Sequence, residues 1–458
     1  MQQKLRKIIS FAKISLAWFL VILLFSIMSC KRSTPAPITE KPLKFIYGNP
    51  ADWLLVMSYG QSNSTYSGAD KTAKTLNQKY DAITQKGGIL IYISNDASDI
   101  KPLVEIGDGG SGGGETLLSA SLEKFTEQVR DENMINPNKK GFQFFGLVTG
   151  IGGQSIAALS KNASANTPWY ANMMNCVKGV VRLGKIKNRS VSVPFLWWTQ
   201  GEDDSGSGKS YDYYVQNLTQ LINDLNADVK DITGQSNSFP LIGYQMCYRN
   251  PKVIDNRIPM ADIDMGVKNP LFICACPSYM LKFDISDRVH FLPQDKRILG
   301  AYYGLAAKRT IVDGEKFLPL YPVGFEVNGN NLKITYHVPV PPLKFDTSLL
   351  PNSGNYGFKV KDSAGRELKL NNIQILANEN AVSIDCSASP KDGIFMYARN
   401  NNYSYVNNPD GKSVYILDRG NLHDSQGDTV VFDIVDQDGK AASWPMHNWA
   451  MASYMPIK

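Results

Sequence analysis

The residues with the most chemical promise are a serine and a histidine far apart in the chain. Trp53-Leu54-Leu55-Val56-Met57-Ser58 reads as a buried strand and runs directly into Tyr59-Gly60-Gln61-Ser62-Asn63. A strand ending in Gly-x-Ser can stand a hydroxyl at a strand-to-helix turn. Gly60 permits the tight turn, and the free N–H groups of a following helix can face an oxyanion. Alone, Gly-Gln-Ser-Asn is also the composition of a capped turn. Asp287-Arg288-Val289-His290 changes the balance. A nucleophilic serine needs a base, and neutral imidazole is the usual one. A carboxylate three residues earlier can hold the imidazole tautomer and stabilise the protonated ring. The four histidines are His290, His337, His423 and His447, and only His290 lies in the α/β part outlined next. Ser62 and His290 are thus the candidate nucleophile and base.

These side chains need a scaffold. Strand patterns fall at Trp53–Ser58, Ile89–Ser94, Phe142–Thr149, Val191–Trp198 and Leu241–Cys247, with Leu271–Cys276 as a possible sixth. Several are apolar on consecutive residues, as strands covered on both faces are. Helical patterns lie between them at Glu115–Arg130, Trp169–Leu183 and Tyr211–Val229, with another at Gln294–Arg309. The alternation predicts a parallel sheet with helices on both faces, and sites in such sheets form at the carboxyl ends of strands. From about residue 316 to 458 the pattern changes to short strands punctuated by Asn328-Gly329-Asn330, Asp362-Ser363-Ala364-Gly365 and Asp410-Gly411. That stretch predicts an all-β, sandwich-like accessory domain after an α/β domain over residues 46–315.

Four blocks across residues 50–310 resemble the SGNH hydrolase superfamily, in its sialate O-acetylesterase-like and plant acetylxylan-esterase-like carbohydrate esterase branch. They are Gly60-Gln61-Ser62-Asn63, Gly152-Gly153-Gln154-Ser155-Ile156, Trp198-Thr199-Gln200-Gly201-Glu202-Asp203-Asp204, and Asp287-x-x-His290. Gln154 stands where that branch has Thr or Ser. The resemblance implies a three-layer α/β/α sandwich with a parallel, flavodoxin-like sheet. It also implies carboxylic ester hydrolysis through an acyl-enzyme: Ser62 attacks, His290 takes its proton, and Asp287 orients His290. The oxyanion would meet the backbone N–H groups of Ser62 and Gly153 and the carboxamide of Gln200. Gln61, Asn63 and Glu202 remain as substrate-binding or site-bracing residues. The expected function is removal of O-acetyl groups from carbohydrates of the sialic acid or plant polysaccharide type. The alternative is a catalytically silent glycan-binding lipoprotein on an esterase scaffold. Ser–His–Asp chemistry implies no organic cofactor and no metal.

The formal charge of +6 arises largely from Lys4, Arg6, Lys7 and Lys13, without which 44 basic side chains face 42 acidic ones. No basic run with interleaved aromatics follows, so nucleic acid is not an expected partner. The cationic stretch precedes an apolar run, Ile14–Met28, shorter than the roughly 20 residues of a membrane span. It reads as a signal peptide over residues 1–29. Ile27-Met28-Ser29-Cys30 resembles a bacterial lipobox, which implies lipidation of Cys30, a tether over residues 30–45, and export to a periplasmic or cell-surface membrane site. The remaining five cysteines give no disulfide framework, and Cys274-Ala275-Cys276 reads as buried thiols. Trp197 and Trp198 could stack on sugars, but neighbours on a strand face opposite sides, so at least one should be core. The glycine-rich stretch from Asp108 to Glu115 lacks phosphate-loop spacing and reads as a flexible active-site loop.

Overall fold

The computed structural model describes residues 45–66, 77, 79–91, 95–105, 114–131, 143–163, 167–247, 257–284, 289–352, 354–399, 404–407, 413–416, 418–435 and 441–458. The leader, Cys30, Asp287 and most of the glycine-rich stretch lie outside them.

Eight strands make the first sheet: β1 (Trp53–Gly60), β2 (Ile83–Gln85), β3 (Ile100–Pro102), β4 (Gln143–Val148), β5 (Val191–Ser192), β6 (Leu196–Thr199), β7 (Leu241–Gln245) and β8 (Phe272–Pro277). Their order is β3-β2-β4-β1-β6-β7-β8, with β5 also on β1. All pairings are parallel except β2 with β3. All eight residues of β1 are buried, which explains its unbroken apolar run. The chain builds one side of β1 with β2–β4 and the other with β5–β8. The loops leaving β1, β4 and β6 therefore open onto one crevice at the switch point.

Helices cover both faces. Trp197 packs its ring 5.5 Å from that of Tyr303, in the helix Pro293–Lys308. Its neighbour Trp198 points the other way, toward Tyr59, with ring centroids 5.9 Å apart. Both indoles are fully buried, so neither meets a sugar. The helix Pro293–Lys308 lies close against the helix Leu118–Asp131 because Gly300 and Gly304 face it. A Cβ at either glycine would come within 2.4 Å of the Leu117 or 2.2 Å of the Ser121 carbonyl oxygen.

One expectation needs correction, and three elements lay outside the sequence expectations. Among the described residues Ile89–Ser94 makes only the bridge Leu90–Val148, while β2 and β3, three residues each, went unread in the sequence. The helix Ile258–Lys268 was also missed; most of its positions are buried, so it carries no clear polar face to mark a helical period.

The second part is antiparallel throughout its pairings. A four-stranded sheet holds Tyr321–Asn328, Asn331–His337, Leu370–Leu376 and Ala381–Cys386, and a three-stranded sheet holds Phe358–Lys361, Ile394–Tyr397 and Ser453–Pro456. Phe325 of the first and Phe395 of the second bring their rings within 5.3 Å, as facing sheets of a sandwich do. Residues 42–458 form one compact unit. The Gln245 amide gives a hydrogen to the Ala452 carbonyl and takes one from the Ala452 N–H, each at 2.8 Å. Tyr279 and Tyr302 donate to the carbonyls of Ala450 and His447 at 2.6 and 2.7 Å.

That seam contains two buried histidines, His423 and His447, with ring centroids 3.9 Å apart. Burial opposes protonation of both, and pushes His423 down to about 4. The unfolded chain takes up protons near pH 6.5, whereas the folded chain resists until about pH 4 at His423. Stability is therefore full above that window and falls as the pH drops through it, by on the order of 3 kcal/mol from His423 alone. Thermal midpoints measured from pH 7 to pH 4 should fall steadily, and a His423→Gln variant should flatten the slope.

Candidate active site

Gly60 closes β1 at φ +138°, and a Cβ there would lie 2.0 Å from the Thr199 carbonyl oxygen on β6. The chain then makes a single 3₁₀ turn, Ser62–Ser64, rather than a long helix. Ser64 N–H and Oγ both donate to the Gln61 carbonyl, at 2.9 and 2.6 Å. Ser58 Oγ donates to the Ser64 carbonyl at 2.8 Å. Ser62 thus sits on a braced turn, 8% exposed, at the carboxyl end of the central strand.

His290 arrives on a returning segment. Phe283 and Phe291 form an antiparallel bridge, and Asp284 N–H donates to the His290 carbonyl at 2.8 Å. Asn63, the residue after Ser62, grips this segment on either side of the histidine. Its amide donates to the Val289 carbonyl at 3.0 Å, and its carbonyl oxygen accepts from the Phe291 N–H at 3.2 Å. The two residues flanking His290 are therefore tied to the residue beside Ser62. Their sequence separation is about half the chain; the fold removes it.

The same Asn63 amide donates to Glu202 Oε1 at 2.9 Å, and the Tyr244 hydroxyl donates to that oxygen too. Burial raises the Glu202 carboxyl above its ordinary range, while Tyr244, Asn63 and nearby His290 pull the other way. The carboxylate thus sits within electrostatic reach of His290. It braces the site from behind, being almost wholly buried.

Gln61 braces the site: its side-chain oxygen accepts from the Gly201 and Asp203 N–H groups at 3.3 and 3.1 Å. It fixes the loop after β6 to the loop after β1.

The loop after β4 supplies Gly152 and Gly153, both exposed. A Cβ at Gly152 would sit 3.7 Å from that of Ser62, so this loop borders the serine. Gly153 adopts φ +67° with open space around it. Gln200 corrects the sequence expectation. Its amide donates to Asp204 at 2.5 Å and to the Gln154 carbonyl at 3.2 Å, and its oxygen accepts from Tyr214 at 2.9 Å. Both amide hydrogens are engaged within the fold, so neither is left for an oxyanion. Asp204 also accepts from the Ile156 N–H at 2.7 Å, which locks the glycine loop to the β6 loop.

Tyr244 and Tyr214 were not singled out in the sequence, and Asp204 appeared only as the last residue of the third block. A tyrosine near the end of an otherwise apolar parallel strand, as Tyr244 is, was the available signal.

Residues 124–308 match the family model described as carbohydrate esterase, sialic acid-specific acetylesterase. Over this stretch the chain is similar to that carbohydrate esterase family. The matched region takes in the Gly152–Gly153 loop, Glu202 and His290, and begins after Ser62. Among solved structures, the chain is similar to a carbohydrate acetylesterase from Xanthomonas citri, at 14% identity and TM-score 0.50, over 89% of this chain and 81% of that one. This likeness shows a shared fold. A protein from Arabidopsis thaliana aligns at 16% identity and TM-score 0.40, over 56% of this chain and 98% of the other. NanS aligns at 12% identity and TM-score 0.38, over 57% of this chain and 97% of its own. No curated protein matches the chain.

Proposed function

We propose that the protein is a serine esterase that removes O-acetyl groups from carbohydrates through an acyl-enzyme. The observation that carries this reading is the Asn63 clamp, which ties the segment bearing His290 to the turn bearing Ser62. Ser62 Oγ attacks the acetyl carbonyl as His290 accepts its proton. His290 then returns the proton to the departing sugar hydroxyl. Water attacks the acetyl-serine with His290 again as base, and acetate leaves. The backbone N–H groups of Ser62 and Gly153 are assigned to the oxyanion. Asp287, three residues before His290, is assigned to orient the imidazole, and the buried Glu202 carboxylate supports the imidazolium electrostatically.

The similarity of residues 124–308 to a carbohydrate esterase family supports a carbohydrate ester as substrate, and we extend this to sialic acid or plant polysaccharide acetyl esters. Cys30 is proposed as the lipidated residue of an exported, membrane-tethered protein. Acetate release should be measured over defined O-acetylated sialosides and xylo-oligosaccharides, with fluorophosphonate labelling of Ser62 followed by peptide mapping. Absence of both turnover and labelling in folded protein would overturn the reading.

Asn63 gives a sharper expectation. Asn63→Ala removes the two contacts flanking His290 and one hydrogen bond to buried Glu202. Loss of such buried bonds costs about 2–4 kcal/mol. Loosening the base should lower kcat/KM on p-nitrophenyl acetate roughly 10²-fold. Parallel calorimetry and steady-state kinetics check both.

A further inference from the structure

A cavity of about 710 Å³ opens where the two parts of the chain meet. Its walls are the first turn of the helix Tyr211–Thr233, one face of the helix Ile258–Lys268, and the strands Tyr321–Asn328 and Ser453–Pro456. None of the residues assigned above to acyl transfer lines it. Its volume falls within the usual range for small-molecule sites.

The lining is amphipathic in a particular way. Tyr211, Tyr321 and Tyr454 are half-buried, and Ile263 forms part of the apolar floor. Asp212 and Arg257 stand exposed at the rim, with Asp264 beside them. Much of this is fixed in place. Tyr211 donates to Asp264 at 2.5 Å, and Lys268 donates to the same oxygen at 2.8 Å. The guanidinium groups of Arg257 and Arg399 lie 5.2 and 5.7 Å from the centre of the Tyr454 ring. Groups held in place before binding lose less freedom when a ligand arrives.

Aromatic surface beside charged donors and acceptors of both signs matches a sugar, whose ring faces are C–H and whose edges are hydroxyls. The charged rim opposes a lipid. The cavity is also close in the chain to the esterase site. The Glu202–Gly206 helix leads within four residues to Ser210 on its wall. Ile258, next to Arg257, comes within 3.5 Å of a Cβ built on Gly201.

We propose that this cavity is an accessory glycan-binding site that holds a saccharide segment of the substrate away from the ester being cleaved. The choice of ligand rests on the esterase reading. The experiment uses Ser62→Ala protein titrated calorimetrically with acetylated xylo-oligosaccharide and with sialyllactose. One of these probes should bind, and Tyr454→Ala or Asp212→Ala, added to Ser62→Ala, should each weaken it about tenfold. In the Ser62 background, the same two substitutions should raise KM on the acetylated oligosaccharide about tenfold and leave kcat/KM on p-nitrophenyl acetate within twofold. Asp212 is exposed, so its replacement keeps the test valid should Tyr454→Ala fail to fold. Binding and KM unchanged in a folded variant, or no binding of either probe, would overturn the proposal while wild-type turnover left the esterase reading standing. Absence of wild-type turnover on every ester would instead strike that reading.

Discussion

Ser62→Ala is expected to lower kcat on acetyl esters by roughly 10⁴–10⁶-fold, the scale seen when a serine hydrolase loses its nucleophile. The thermal midpoint should move little, because Ser58, Gln61, Asn63 and Ser64 all brace this turn. KM should stay near the wild-type value, since substrate contacts remain. Initial rates on p-nitrophenyl acetate, with a differential scan on the same preparation, separate chemistry from folding. A drop below tenfold in a folded variant would remove Ser62 from the mechanism.

Gly60→Ala should be as damaging, for a different reason. The new methyl would come within 2.0 Å of the Thr199 carbonyl oxygen, at φ +138°, where a side chain is strained whatever the space. Backbone atoms of two paired central strands cannot yield as a flexible side chain would, so the cost should be on the order of 4 kcal/mol or more. Any folded fraction should also be nearly inactive, because relieving the clash moves the Ser62 turn away from the β6 loop. Urea titration of soluble protein measures the first effect, and active-site titration the second. Wild-type stability in Gly60→Ala would show that this approach is not as tight as described.

The turn carrying Ser62 was legible because an apolar strand ends there in Gly-x-Ser, and Gly60 is sterically required. His290 stood out by its scarcity, and the fold brings its segment beside that turn. Long parallel strands such as β1 announced themselves through uninterrupted apolar runs. β2 and β3 did not, since three residues carry no period. The helix Ile258–Lys268 was hidden because most of its positions are buried and its open face carries the apolar Met260 and Val267. Gln200 shows the limit most clearly. A carboxamide in that block suggests an oxyanion donor, yet its hydrogens are taken by Asp204 and the Gln154 carbonyl. Which partner claims a side chain depends on three loops meeting, and no local spacing encodes that. The Asn63 clamp is of the same kind: its residue was visible, but its partners lie across the chain.

The paired hydrogen bonds between the Gln245 side chain and the Ala452 backbone join residues 207 positions apart. A nascent chain cannot make them until residue 452 has left the ribosome. Gln245 ends the strand that also carries Tyr244, one of the supports of Glu202. Assembly of the candidate crevice is thereby coupled to synthesis of residue 452, and deletions well beyond the α/β part should disturb it.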